Sequence, residues 1–258
     1  MTLLVQKFGG TSLGSIERIK AVAQRIKSSK EKGDDLVIVV SAMGDTTDEL
    51  TQLARSLSQS PPQREMDMLL STGEQVSIAL LSIALNELGI SAKSMTGSQV
   101  GIVTESSHGK ARILDIKTER IQNYIDQGYV VVVAGFQGTT LSSGGTAEIT
   151  TLGRGGSDTS GVALAAALGA DACEIYTDVP GVLTTDPRKV SNAQLMSEVS
   201  CDEMLELASL GAAVLHPRAV EIARNYGIQL VVRPSWDNKP GTTLTSNEKR
   251  SLGKEGLE

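Results

Sequence analysis

Leu36-Val-Ile-Val-Val40, the run LVIVV, is apolar at every position, and four of its five residues are β-branched. A strand with one wet face alternates apolar and polar residues, so a run without alternation points to a strand covered on both faces. Val130 to Ala134, which opens VVVV, reads the same way. Leu3 to Val5, Cys173 to Thr177 and Ile228 to Val232 complete a set of short strand-like runs. Between them lie longer segments of helical period. Ile16, Ile19, Val22, Ala23 and Ile26 share one stripe that Ser15 can cap and Gly33 can close. A second helix holds Leu50, Leu53, Ala54 and Leu57 and ends before Pro61-Pro62. A third runs from Arg64 to Leu88, with an expected interruption near Ser71-Thr-Gly73 and a stop at Gly89. Asp202 to Leu210 and the segment after Pro217 are further helices, proline being suited to a first turn. Strands alternating with helices imply an α/β chain whose mainly parallel sheet is covered on both faces.

The 258 residues can bury a core without staples, as one large domain or two small ones. Only 3% are aromatic, so Val, Ile, Leu and Ala must build that core. The net charge is −6 with no sustained basic run, which argues against nucleic acid as a partner. No apolar run in the sequence approaches the ~20 residues that span a bilayer, and no signal peptide is visible. Cys173 and Cys201 stand far apart without CxxC spacing, as small buried hydrophobes of a reducing cytoplasm would. The one candidate hinge is the Ser/Gly-rich loop from Leu141 to Thr146, and the polar tail from Ser246 to Glu258 is expected to fray.

Open α/β sheets bind ligands where a strand ends and a helix begins, and three loops fit that description. In Lys7-Phe-Gly-Gly-Thr-Ser12, Gly9 and Gly10 let backbone N–H groups approach an anion while Lys7 adds a charge. A tight turn with a solvated lysine is the competing reading. Ser41-Ala-Met-Gly-Asp-Thr-Thr-Asp48 suits a polar ligand but equally an N-cap. In Thr150-Thr-Leu-Gly-Arg-Gly-Gly-Ser-Asp158, Arg154 can grip a carboxylate bidentately ahead of a small-residue helix. Asp158 there would repel an anion unless a cation lies nearby, or it merely caps the helix. No GxxxxGK[ST] and no complete GxGxxG occurs. A lysine in one loop and an arginine and aspartate in another suggest phosphoryl transfer by positioning and charge neutralisation. His108 and His216 look isolated, with surface or structural roles.

Taken in order, Lys7-Phe-Gly-Gly-Thr-Ser12, Val40-Ser-Ala-Met-Gly44, Met68-Leu-Leu-Ser-Thr-Gly-Glu74, Gly153-Arg-Gly-Gly-Ser-Asp158, Tyr176-Thr-Asp-Val-Pro-Gly181, Thr185-Asp-Pro-Arg188 and Leu215-His-Pro-Arg218 resemble the aspartate kinases, within the amino acid kinase family. The likeness runs from Leu3 to about Thr245. It implies a three-layer αβα fold over residues 1–245, with 246–258 a polar tail. It also implies ATP-dependent phosphorylation of the L-aspartate side chain to 4-phospho-L-aspartate, with Mg²⁺ held mainly by the ATP phosphates. The family pattern would have Lys7 neutralise the phosphoryl group and Asp158 orient Lys7. Phe8, Gly9, Gly10, Ser41, Thr177, Asp178, Arg188, Ala213 and Val214 would line the nucleotide site. Thr47 (or its neighbour Thr46) and Ser157 would touch aspartate, Glu74 would receive its α-amino group, and Arg154 its α-carboxylate. Glu74 alone would read as a helix-surface charge.

Two departures stand out. The family's GAKVLHP is Gly211-Ala-Ala-Val-Leu-His-Pro217 here, so Ala213 replaces a lysine that reaches the ATP phosphates, and a family tyrosine is Leu183. Losing one charge-assisted contact weakens binding or turnover about ten- to a hundredfold. The resemblance implies ACT regulatory domains beginning where this sequence stops, whether in a longer protein or lost from a kinase without its own sensor, so no lysine or threonine inhibition is expected of this chain alone. A related kinase with a different acidic acceptor, or a weakened ligand-binding or regulatory homologue, remains open. A homodimer, cytoplasmic and without nucleic acid or membrane partners, would be usual for the family.

Overall fold

The computed structural model describes residues 1–141, 147–212 and 214–245. Ala213, the tail from Ser246 and the expected hinge beyond Leu141 lie outside the described residues. β1 (Leu3–Phe8) leads through a 3-10 turn into α1 (Ile16–Lys30) and β2 (Asp35–Val40). Next come α2 (Thr46–Leu57), α3 (Gln63–Glu87), β3 (Ala92–Met95), β4 (Ile102–Thr104) and β5 (Ile113–Ile116). Then follow α4 (Glu119–Asp126), β6 (Val130–Ala134), β7 (Gln137–Thr140) and β8 (Ile149–Thr151). The remainder is α5 (Gly156–Leu168), β9 (Ala172–Thr177), β10 (Glu198–Ser200), α6 (Cys201–Ser209), α7 (Pro217–Tyr226), β11 (Leu230–Pro234) and β12 (Thr242–Thr245).

Eight strands form the main sheet in the order β10-β12-β11-β9-β1-β2-β6-β3. Pairing is parallel from β11 through β3, and only β11 and β12 run antiparallel. β2 and β6 lie inside the sheet with a strand on each side; their LVIVV and VVVVA runs are fully buried, which is why they do not alternate. One core lies under α1 and α3 and includes Phe8, Ile26, Ile38 and Leu81. The other lies under α4, α5 and α7 and includes Val5, Val39, Ile121, Val162 and Val220. The chain is thus the expected αβα sandwich. A second, mixed sheet, β5-β4-β7-β8, stands beside it. The sequence showed no sign of it, because its strands are three or four residues long and partly polar.

α1 is capped by Ser15, whose Oγ accepts from the Arg18 N–H, as expected; its C-cap is Glu31, and Gly33 closes the following turn at φ 95°. α3 departs from expectation: it runs unbroken through Ser71-Thr-Gly73. Gly73 is there for close approach rather than as a breaker, since a Cβ on it would lie 2.8 Å from Ala42 Cβ. At 25 residues, α3 is also long and apolar enough to cross a membrane by length and composition. Its apolarity has another use, because Ile78, Leu81 and Leu85 pack beneath the sheet while Asp67, Ser71, Glu74 and Ser77 are buried on the same helix.

Candidate active site

The sheet changes its winding direction at β1, with β2 on one side and β9 on the other, and that crevice is where such sheets bind ligands. Backbone bonds lace the strand ends together. The Ser41 N–H donates to Phe8 O (3.1 Å), Gly9 N–H to Tyr176 O (3.2 Å), Gly44 N–H to Gly10 O (3.0 Å) and Gly135 N–H to Val40 O (3.0 Å). Gly10 can carry no side chain, since a Cβ would come within 2.7 Å of Ala42 O. Phe8 belongs to the core face and stacks on Tyr176, so only its backbone belongs to the loop.

Lys7 points to the α5 face. Its stem passes Gly161, where a Cβ would lie 3.3 Å from Lys7 Cβ, and its Nζ reaches Asp158 Oδ1 at 2.5 Å. Asp158 and Gly161 sit three residues apart on one face of α5, so a small residue admits the lysine and an acidic one receives it. Asp158 therefore does not cap the helix. The N-cap is Gly155, in the left-handed region at φ 71°, and no side chain bonds there. Gly155 lies against the His216 ring, only 2.3 Å from where its Cβ would be. His216 is not isolated either: its Nδ1 accepts from the Arg218 N–H at the start of α7 (3.3 Å), and burial with the nearby Arg218 charge lowers its pKa.

Glu74 is 2% exposed, not a surface charge. Its Oε1 accepts from the Ala42 N–H (3.2 Å), whereas Oε2 has no partner. Burial pushes its pKa up to about 7, the backbone hydrogen bonds opposing only in part. Arg154 is exposed and, among the described residues, makes no hydrogen bond or ion pair. Ser157 is buried beside Gly135, whose Cβ would lie 3.0 Å from Ser157 Oγ. Thr46 and Thr47 open α2; Thr46 Cγ2 faces Gly73, and Thr47 O accepts from Thr51 Oγ1 (2.7 Å).

Around the residues expected to line a nucleotide the picture is more open. Thr177 Oγ1 donates to Asp178 Oδ1 (3.2 Å), and its carbonyl accepts from Ser235 N–H and Oγ. Arg188 is 89% exposed and forks onto Asp186, with both bonds at 3.0 Å. Val214 is half-buried against the α5 core, and Leu183 forms an isolated bridge with Leu195. Among the described residues no group of three or more His, Cys, Asp or Glu could hold a metal ion.

Two further features border this region. Phe136, directly after Gly135, is the non-glycine residue with positive φ (68°), held there by bonds from its N–H to Ser160 Oγ (3.1 Å) and from Leu152 N–H to its carbonyl (2.8 Å). Such strain concentrates at functional sites. His108, expected to lack a partner, lies 2.8 Å from Asp67 and 3.2 Å from Glu148.

The amino acid kinase family model matches residues 2–234. The chain belongs to the amino acid kinase family. The aspartokinase of Geobacillus stearothermophilus is 63% identical over 244 residues, 95% of this chain and 59% of that protein. Among solved structures, aspartate kinase from Synechocystis is 65% identical with TM-score 0.87, over 100% of this chain and 42% of that one. E. coli aspartokinase III, solved with aspartate and ADP, is 27% identical with TM-score 0.83, over 97% and 65%. This kinase-family chain therefore spans less than two thirds of the length of each of these relatives.

Proposed function

We propose that the chain is the catalytic unit of an aspartate kinase, transferring the γ-phosphoryl group of ATP to the side-chain carboxylate of L-aspartate and releasing ADP and 4-phospho-L-aspartate. This is the first step toward lysine, threonine and methionine. The observation that carries the reading is the buried, half-satisfied carboxylate of Glu74, on the helix packed against the Ala42 loop. A buried acid with one idle oxygen needs a cation. The α-ammonium group of a free amino acid supplies one, and the free fork of Arg154 suits the α-carboxylate.

The remaining residues follow from charge. An oxygen of the acceptor carboxylate forms the bond to Pγ as the bond from Pγ to the bridging oxygen breaks. That carboxylate is already ionised near neutral pH, so no general base is needed. Lys7, held by Asp158, neutralises the phosphoryl group in flight, and the Gly9 and Gly10 loop admits the phosphates to the backbone. Thr47 and Ser157 touch the amino acid; Ser41, Thr177, Asp178, Arg188 and Val214 line the nucleotide side. Mg²⁺ accompanies ATP as its counter-ion and offsets phosphate charge, a role that needs few protein ligands. Reduced, buried Cys173 and Cys201 fit the cytoplasm, where ATP is supplied. The exposed apolar side chains Val76 and Ile83, seven residues apart on α3, offer a contact for a homodimer.

The test is ATP-dependent formation of aspartyl hydroxamate by the purified chain with Mg²⁺, against glutamate and carbamate as acceptors. Aspartate-dependent product supports the reading. Product with another acceptor alone, or aspartate binding without turnover, overturns it in favour of a different substrate or a weakened homologue, the latter favoured by Ala213.

A further inference from the structure

Asp67 and Glu74 stand seven residues apart on α3, two turns along one face. Asp67 is completely buried, and the hydrogen-bond partners of its carboxylate lie 41 or more residues further along the chain. Oδ1 accepts from Thr151 Oγ1 (2.5 Å) and the Gly109 N–H (3.0 Å). Oδ2 accepts from the same N–H (3.1 Å) and lies 2.8 Å from His108 Nδ1. The other ring nitrogen of His108 is 3.2 Å from Glu148 Oε2, and Glu148 lies just ahead of β8. The Ala111 N–H donates to Thr151 O (2.9 Å), so the segment from His108 to Ala111 is stitched to the end of β8. Three residues beyond Thr151 comes Arg154, reached through Gly153, whose Cβ would lie 3.0 Å from Gly109 O. In the functional reading above, Glu74 and Arg154 are the two ends of one clamp, and the Asp67–His108–Thr151 cluster ties the helix bearing the first to the strand that leads into the loop bearing the second.

We infer that Asp67, completed by His108 and Thr151, is a positioning group that fixes the span between Glu74 and Arg154 and so selects an acceptor with both an α-ammonium and an α-carboxylate group. The inference rests on the functional reading above. A buried carboxylate meeting three donors holds its partners rigidly, and losing one donor lets the β8 end drift rather than unfold. His108, with 19% of its side chain exposed, can be changed without opening the core.

His108→Ala raises the KM for aspartate about tenfold with kcat near the parent value and the KM for ATP unmoved, a milder loss than the hundredfold of an ångström-scale misplacement. His108→Asn, whose amide N–H can replace Nδ1 toward Asp67, restores most of it. β-Alanine, which lacks the α-carboxylate, is used equally by parent and variant. Thr151→Val repeats the aspartate effect from the other donor. In both His108→Ala and Thr151→Val, the amides of Gly153 and Arg154 exchange faster with deuterium in the absence of any substrate. Unchanged exchange with an aspartate KM within twofold of the parent in both variants overturns the inference, as does equal damage to β-alanine. If the parent makes no aspartate-dependent product, the functional reading falls. The exchange measurement then still decides whether the cluster holds the Arg154 loop.

Discussion

In the proposed reading, Glu74 is the residue on which affinity for an amino acid turns. With its pKa raised to about 7 by burial, it is largely neutral at pH 6 and ionised at pH 8. Affinity for an ammonium-bearing substrate therefore rises across that interval, and Glu74→Gln flattens the profile while raising the aspartate KM about ten- to a hundredfold. Steady-state kinetics from pH 6 to 8 check this; a parallel pH profile in the variant contradicts it. Stability runs the other way. A carboxyl whose folded pKa is raised favours folding while protonated, and that contribution is lost as pH climbs from 4.5 through about 7. Without substrate, thermal denaturation of Glu74→Gln therefore lacks the part of the decline that the parent shows over that window. Ala213 makes the second residue-scale prediction. Ala213→Lys strengthens ATP binding or turnover about ten- to a hundredfold if the expected phosphate contact is what this chain lacks. An unchanged ATP KM and kcat contradicts that. In sequence, an acid on a helix looks the same whether it is buried or wet, so Glu74 became legible only beside its ordered neighbours.

At the scale of elements, the proposed reading has α3 join substrate to scaffold, and Gly73 is where the two demands meet. Replacing a helical glycine by alanine favours the helix by roughly 1 kcal/mol. Here the added Cβ comes within 2.8 Å of Ala42 Cβ and 3.6 Å of Thr46 Cγ2. Gly73→Ala is expected to leave the melting temperature close to the parent value while displacing the Ser41–Gly44 loop and raising the aspartate KM severalfold. A stabilised variant with parent kinetics contradicts this. Strands β2 and β6 were readable because burial on both faces erases alternation. The strands β4, β5, β7 and β8 were not, since three or four residues carry too little period, and the pairing of β4 with β7 that joins the two hairpins spans 36 residues of chain from Val103 to Thr139. His108 is the same case, its partner Asp67 lying 41 residues away. Gly73, read as a break, shows that a glycine in a helix can mark close approach instead.

For the whole molecule, Val76 (51%) and Ile83 (66%), seven residues apart on one side of α3, form an exposed apolar stripe on a chain of net charge −6. Sedimentation velocity is expected to show a dimer in the parent and a monomer in Val76→Lys/Ile83→Lys; a monomeric parent at micromolar concentration contradicts it. Cys173 is fully buried where β9 meets α5, with Sγ 3.8 Å from the position of a Cβ on Gly161, and Cys201 is buried at the start of α6. Burial also pushes both thiols up and away from the reactive thiolate. The placement of Cys173 makes it a built-in clock. An alkylating reagent can reach this sulfur only while the helix that carries Asp158 has lifted from the sheet, so its labelling rate counts how often the Lys7 pair is broken, with no probe introduced.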